Sequence, residues 1–415
     1  MENWKEDIPR AHKADWQKQV EKDLKGASFE EKLIHTPEGI AIQPLYTAQD
    51  LPELQDDESA SFWDAFEDDA VQGEAPEEPV LAWNICEEYG GDMSALNDAV
   101  LAARQRGVNY IRVHGDWDMF FDEVRKVQYL ASYVVDARGD LTEENMVQDW
   151  RERIALIGSR DQLITAFEFD PVHHFITSGN IPDANKSFNN LAHLFFKLGA
   201  YLHDCKLVKT DITAFAHADV VTQIVYALAI THTYLEELEK REVPVEEIIP
   251  LFSFRIPIGN HYFSEIAKVR ALRMCLKNVY AAYMEDISFL PAAYIHGVTY
   301  THVNTSDKHN NILRDTTAAM AAVIGGCDVL SVAPFSDDAT DQHALRTSTH
   351  IQNMLRFESH LDSWRDVANG SYFIENYTVE IARKAWEGFQ QLVLEGGFLQ
   401  ALEQNTLQIK KEGTL

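Results

Sequence analysis

From Val80 onward, short apolar runs alternate with amphipathic stretches at a regular spacing. The runs Val80–Cys86, Tyr110–His114, Leu130–Val135, Leu163–Phe169, Leu207–Ile212, Leu251–Ile256, Ala292–Val298 and Val329–Ala333 have the length and composition of buried strands. Helical periodicity fills the gaps, at Met93–Ala103, Phe188–Leu202, Val221–Glu239, Phe263–Tyr283 and Asn311–Val323. The alternation predicts the α/β class. An open doubly wound sheet gives the same local signal, but eight strands within about 250 residues favour a (β/α)8 TIM-type barrel over 80–360.

The flanks read differently. Asp15 to Gly26 forms an amphipathic helix, with Trp16, Val20 and Leu24 on one stripe and Gly26 as its stop. An extended piece follows over Thr36–Thr47, bounded by prolines, so residues 1–49 are expected to form an arm that docks on a partner or on the barrel. Residues 50–79 form an acidic linker without Lys or Arg from Asp50 to Glu78, although Phe62, Trp63 and Phe66 are the kind of side chains that pack on something. At the far end, a helix from about Val379 to Leu394 and a shorter one after Gly396-Gly397 predict a C-terminal helical cap over 361–415.

Charge and composition narrow the function. A formal net charge of -30 disfavours nucleic acid and anionic membranes, both of which need basic patches. No apolar run approaches the ~20 residues of a membrane span, and the acidic N-terminus does not read as a secretion signal. Cys86, Cys205, Cys275 and Cys327 are scattered, without a Cys-x-x-Cys pair, and are expected as buried free thiols in a reducing compartment. These features predict a soluble, cytoplasmic protein.

Several ordered motifs then carry a resemblance. They are Glu38-Gly-Ile with Pro44-Leu-Tyr-Thr47, Arg255 to Arg273, Asn310-Asn311 with Arg314, Thr316 and Ala319-Met-Ala321, and Gly370-Ser-Tyr372 with Glu375, Ala385-Trp386 and Gly396-Gly397. In this order and spacing the chain resembles the acyl-CoA-binding barrel of the methylmalonyl-CoA mutase family. The helix ending Lys22-Asp-Leu-Lys-Gly26 is similar to the small, non-catalytic subunits in particular. The resemblance implies a partnership with a catalytic large subunit that holds adenosylcobalamin and interconverts methylmalonyl-CoA and succinyl-CoA.

Departures from the family pattern shape the expectation for this chain. Catalytic members carry a cobalamin domain with Asp-x-His-x-x-Gly, and the reading here is that no such domain is present. Asp307-x-His309 and Asp341-x-His343 run on to Ile312 and Arg346 rather than Gly. The family's catalytic Tyr-His pair, which steadies the substrate carbonyl as a preorganised donor, has no counterpart. An ungapped match puts Asp211 and Ile212 there, and a shifted one Phe215 and Ala216, with His217 nearby. The acidic stretch replaces the Arg and Tyr residues that order the radical cage in catalytic chains. No catalytic, cofactor-binding or metal-binding residue is therefore expected on this chain, no cofactor is expected to reside on it, and alone it should be inactive.

Other constellations keep two alternatives open. His114, Glu168, Arg255 and His296 fall at predicted C-terminal strand ends, where barrel enzymes keep their sites, and form a candidate pocket. Glu168, Asp170 and His174 would be the ligands of a stand-alone metal-dependent barrel hydrolase or lyase, but His173 and His174 on an extended chain would point apart. The other alternative is the substrate-binding subunit of a different acyl-CoA mutase, with its cobalamin domain on a separate chain. Asn260 is expected to cap the helix that follows it, and Gly325-Gly326 to turn the chain into the eighth strand.

Overall fold

The structure is a computed structural model that describes residues 12–51, 83–90, 93–113, 132–137, 164–178, 184–198, 206–284, 290–300, 307–336, 341–363 and 366–407. The acidic stretch 52–82, His114 and Cys205 lie outside the described residues. Among the described residues there are eight parallel strands: β1 (Asn84–Tyr89), β2 (Tyr110–Val113), β3 (Ser132–Ala137), β4 (Ile164–Phe169), β5 (Lys206–Asp211), β6 (Phe252–Ile258), β7 (Tyr294–Thr299) and β8 (Val329–Ser331). Each pairs with the next, and β8 pairs back to β1, so the sheet closes into a barrel.

Helices surround it in chain order. The arm carries α1 (Lys13–Asp23) and α2 (Phe29–Leu33); α3 (Leu96–Gln105) follows β1; α4 (Pro171–Ser178) and α5 (Ala184–Leu198) follow β4. After β5 come α6 (Val220–Glu239) and α7 (Val245–Ile248), after β6 α8 (Tyr262–Tyr283), after β7 α9 (Lys308–Ile324) and after β8 α10 (Gln342–Phe357). The chain closes with α11 (Tyr372–Leu394) and α12 (Gly397–Glu403).

Two layers of packing explain the hydrophobic pattern. In β6 all seven residues are buried, because the strand is covered on both faces, by the barrel interior and by helices. α6 is apolar nearly all round for the same reason: it lies on the barrel and is covered outside by α11, which also packs on α8. The approach of α11 is close enough that a Cβ on Gly388 would meet Val225 Cγ2 at 2.8 Å.

The arm is strapped to this outer layer. Ile40 is buried in the main core, Lys384 Nζ donates to the Gly39 carbonyl at 2.7 Å, and the Tyr46 and Phe373 rings lie 5.4 Å apart. The apolar side of α1 behaves differently. Trp16, Val20 and Leu24 stay half-exposed, and Trp16 meets only the edge of Phe29 among the ring contacts of the described residues, at 6.1 Å.

Some predicted boundaries move. β1 runs on to Tyr89, past the expected end at Cys86, since its polar residues belong to the sheet: Glu87 pairs with Arg106 at 2.6 Å and Glu88 with Arg255; the expected start at Val80 lies outside the described residues. α5 begins at Ala184 instead of Phe188 because its first turn is polar. α11 begins at Tyr372, seven residues before the expected Val379. Gly370 turns the chain at φ 81°, Ser371 is extended, and Glu375 accepts from the Gly370 N–H at 3.1 Å, which starts the helix there. Asn260 does not cap α8; the N-cap is His261, and the Asn260 carbonyl merely accepts from the Tyr262 N–H. The Gly325-Gly326 turn forms as expected, with Gly326 at φ 89°.

Candidate site at the barrel mouth

Strand pleat puts every second side chain inside the barrel. In β5 this selects Lys209 and Asp211, and in β6 Ser253 and Arg255. Arg255 and His296 are register partners on β6 and β7, so two of the four predicted pocket residues are brought side by side. Glu168 lies on β4 opposite Asp136, with its side chain outside the described set, and His114 also falls outside it.

The interior side chains neutralise one another. Arg255 Nη1 donates to Asp211 Oδ2 at 3.2 Å, while Nη2 binds the Glu88 carboxylate. Lys209 Nζ stands 3.6 Å from the same Asp211 oxygen, and Thr213 donates to Oδ1 from its backbone N–H at 3.0 Å and its hydroxyl at 2.6 Å. One layer across, Arg112 Nη1 lies 3.5 Å from His296 Nδ1, and His296 Nε2 is 2.8 Å from Ser331 Oγ. With Nδ1 facing a guanidinium, the neutral tautomer carries its proton on Nε2 and donates it to Ser331.

Ionisation follows the packing. Burial alone would raise the Asp211 pKa, but the charges of His173, Arg255 and Lys209 outweigh it and hold the group well below the ordinary carboxylate range. Burial, with the charges of Arg112 and Arg255, pushes His296 well below the usual imidazole value, so it stays neutral. Asp170 is raised to about 7 by burial, partly offset by Lys209 and by the Tyr234 hydroxyl. Burial likewise pushes the Cys86 thiol up to about 12, which leaves it protonated and inert.

The metal reading gains no support. Asp170 has both oxygens taken by protein donors: Tyr234 OH at 2.6 Å and the His173 N–H at 2.8 Å on one, the Asp211 N–H at 3.0 Å on the other. His173 and His174 sit in the first turn of α4, not on an extended chain as expected, because Asp170 caps that helix. His173 turns toward Asp211 and His174 is exposed, so the two still diverge. Among the described residues no group of three His, Cys, Asp or Glu side chains could hold a metal ion.

The remaining landmarks have structural places. Asp307 and Asp341 are N-caps, accepting from the N–H groups of His309 and Asn310 and of His343 and Ala344. Both Asp-x-His pairs therefore open helices, α9 and α10. Phe215 is fully buried against Tyr226 and Phe398, at ring separations of 4.6 and 6.1 Å. His217 is exposed and meets the Tyr300 ring edge-on at 5.9 Å.

A cleft of about 260 Å³ opens on the β1, β7 and β8 side, and its lining includes Glu88, Arg255, Thr299, Tyr300, Ser331 and Gln352. Strand position in the sequence points to Arg255 and His296, but not to Arg112, Lys209, Glu88 and Ser331, which share the interior with them. The available signal was a charged residue at alternate positions of an otherwise apolar strand, as in Lys206-Leu-Val-Lys-Thr-Asp211.

The sequence profile described as Methylmalonyl-CoA mutase matches residues 159–413. The chain is 26% identical over 422 residues to a Porphyromonas gingivalis protein named methylmalonyl-CoA mutase small subunit, covering 97% of this chain and 66% of the relative. A Mycobacterium tuberculosis protein named probable methylmalonyl-CoA mutase small subunit is 28% identical over 390 residues, covering 88% of this chain and 60% of the relative. A Rhizobium meliloti protein named methylmalonyl-CoA mutase is 26% identical over 434 residues, covering 94% and 59%. The chain thus spans less than two thirds of the length of these relatives. No helix among the described residues is long and apolar enough to cross a membrane. With 255 of its 415 residues inside the family profile, the chain belongs to the methylmalonyl-CoA mutase family.

Proposed function

We propose that this chain is the non-catalytic small subunit of a heterodimeric methylmalonyl-CoA mutase. In this reading it stabilises a catalytic large subunit, and the complex isomerises methylmalonyl-CoA and succinyl-CoA with adenosylcobalamin held by that partner. The observation that carries the reading is Asp211. It stands where an ungapped match places the family's catalytic Tyr-His pair, and it is an acceptor-only carboxylate locked by Arg255, Lys209 and Thr213. Such a group cannot donate a hydrogen bond to a thioester carbonyl, which is the task of that position in a catalytic chain. The shifted match is no better, since Phe215 is apolar and buried. Relatives named small subunit support the same reading.

The half-exposed apolar side of α1 fits an arm that completes its packing on another subunit. Co-expression with the large subunit of the same genome, with only this chain tagged, tests the proposal. The expected result is a one-to-one complex that turns over with adenosylcobalamin, beside an inert lone chain. Turnover by this chain alone, or no complex with the large subunit, would overturn it. Turnover after adding a separate cobalamin-binding chain would instead favour the substrate-binding subunit of another mutase.

A further inference from the structure

Two neighbouring helices differ in surface chemistry from the rest of the chain. α9 and α10 pack side by side on the barrel and together contain one carboxylate, Asp315, which is buried; Asp307 and Asp341 before them cap their first N–H groups, and Glu358 follows α10. Along the outer side of α10, His343, Arg346, His350, Met354 and Phe357 recur at three- and four-residue spacing and are all exposed. Met354 is 61% and Phe357 62% exposed, and Leu313 on α9 is 65% exposed. Exposed cations on other helices are matched within the chain: Lys240 pairs with Glu236 and Glu237 at 3.0 and 2.9 Å, and Arg383 with Glu380 and Glu387 at 2.9 and 2.6 Å. On this face they are not. Among the described residues Arg346 has no carboxylate partner, and the Lys308 ammonium reaches only the Ser336 hydroxyl, at 3.3 Å.

We propose that this outer face of α9 and α10 is a contact surface for the catalytic large subunit, which meets it with carboxylates opposite Lys308 and Arg346 and with apolar side chains opposite Met354 and Phe357. The inference rests on the small-subunit reading and adds to it a second surface beside the arm. Charge sets the chemistry of the occupant. A chain of net charge -30 repels acidic surfaces over most of its exterior. Here two unmatched cations, with His309, His343 and His350 exposed among them, attract an acidic surface instead.

The apolar side chains complete the match. Arg, Met and Phe are enriched where two proteins meet, and Asp and Glu are depleted there, which is the composition of this face. α10 is also polarised along its length of roughly 24 Å, with His343 and Arg346 in its first turns and Met354 and Phe357 in its last. An occupant is therefore held in one direction, acidic end toward the start of the helix. A second copy of this chain is the poorer occupant, because a two-fold contact through this face brings the same cations and no carboxylate to meet them.

The affinity of the full chain for the large subunit of the same genome tests it. Arg346→Glu and the double variant Met354→Glu/Phe357→Glu change exposed positions only, and unchanged melting temperatures of the lone chain check that the fold is kept. Each is expected to raise Kd at least about tenfold, and Arg346→Glu to flatten its dependence on salt as well. Leu394→Glu, exposed on α11, is expected to bind as the parent does. Independently of these variants, p-benzoylphenylalanine in place of Phe357 should crosslink to the large subunit on irradiation, and the same probe in place of Leu394 should not. Face variants that bind as tightly as the parent, or no crosslink from the Phe357 position, overturn this inference and leave the subunit reading standing. A parent chain that forms no complex overturns both. A lone chain that is dimeric until Arg346→Glu makes it monomeric, with its affinity for the large subunit unchanged, assigns the face to a second copy and also overturns the proposal.

Discussion

Asp315→Asn is predicted to stabilise the protein, and to do so in a pH-dependent way. Asp315 is buried in α9 among Asn311, Ala318 and Ala319, and neither of its carboxylate oxygens receives a hydrogen bond among the described residues. Burial raises its pKa from 3.8 to about 7, with only a partial offset from Arg314. Each pKa unit is worth about 1.4 kcal/mol, so the ionised group withholds at most about 4 kcal/mol of stability. Relaxation and water entry reduce such penalties, and a gain of about 2 kcal/mol is the working expectation. The sign follows from linkage: the folded state holds this proton more tightly than the unfolded chain, so its contribution falls as pH rises from about 4 to about 7 and is level above that. Asn cannot ionise. Urea unfolding of both proteins should therefore show a small difference near pH 5 and the full gain at pH 8. A variant no more stable than the parent at pH 8, or a gain equal at both pH values, would refute the reasoning.

Two further perturbations probe the outer layer. Arg270 is fully buried between Asp366 and Glu375, with both Glu375 oxygens at 3.1 Å, so Arg270→Met leaves two buried carboxylates without their cation and should cost about 3–5 kcal/mol in urea unfolding; adding Glu375→Gln should restore part of that loss. Gly388→Ala places a methyl 2.8 Å from Val225 Cγ2 and should cost about 1–3 kcal/mol by prising α11 from α6, read as a lowered urea midpoint with unchanged slope.

The sequence pattern carried the order and class of the elements. Strand runs in β5 to β8 and the helices after β5, β6 and β7 came out close to their observed limits, because each carries a long run of apolar positions that the barrel buries. Boundaries failed where polar residues belong to an element. Glu87 and Glu88 made β1 look like its own flank, and the polar first turns of α5 and α11 read as loop. The mouth was half legible. Position in the sequence puts Arg255 and His296 at strand ends, whereas both sit mid-strand in β6 and β7, and Asp211 stands out in the sequence only as a departure from a motif.

By itself the sequence determined an α/β chain of alternating strands and helices, an N-terminal helix followed by an extended piece, and a family resemblance, all of which depend on local spacing and residue order. Only the tertiary structure decided that the sheet closes from β8 to β1, and that Asp211, Arg255, Glu88 and Lys209 share one buried cluster. The physical reason is sequence distance. Glu88 and Arg255 lie 167 residues apart, and no local periodicity reports which interior side chains meet when eight strands are rolled together. Charge compensation inside the barrel is a property of that closure.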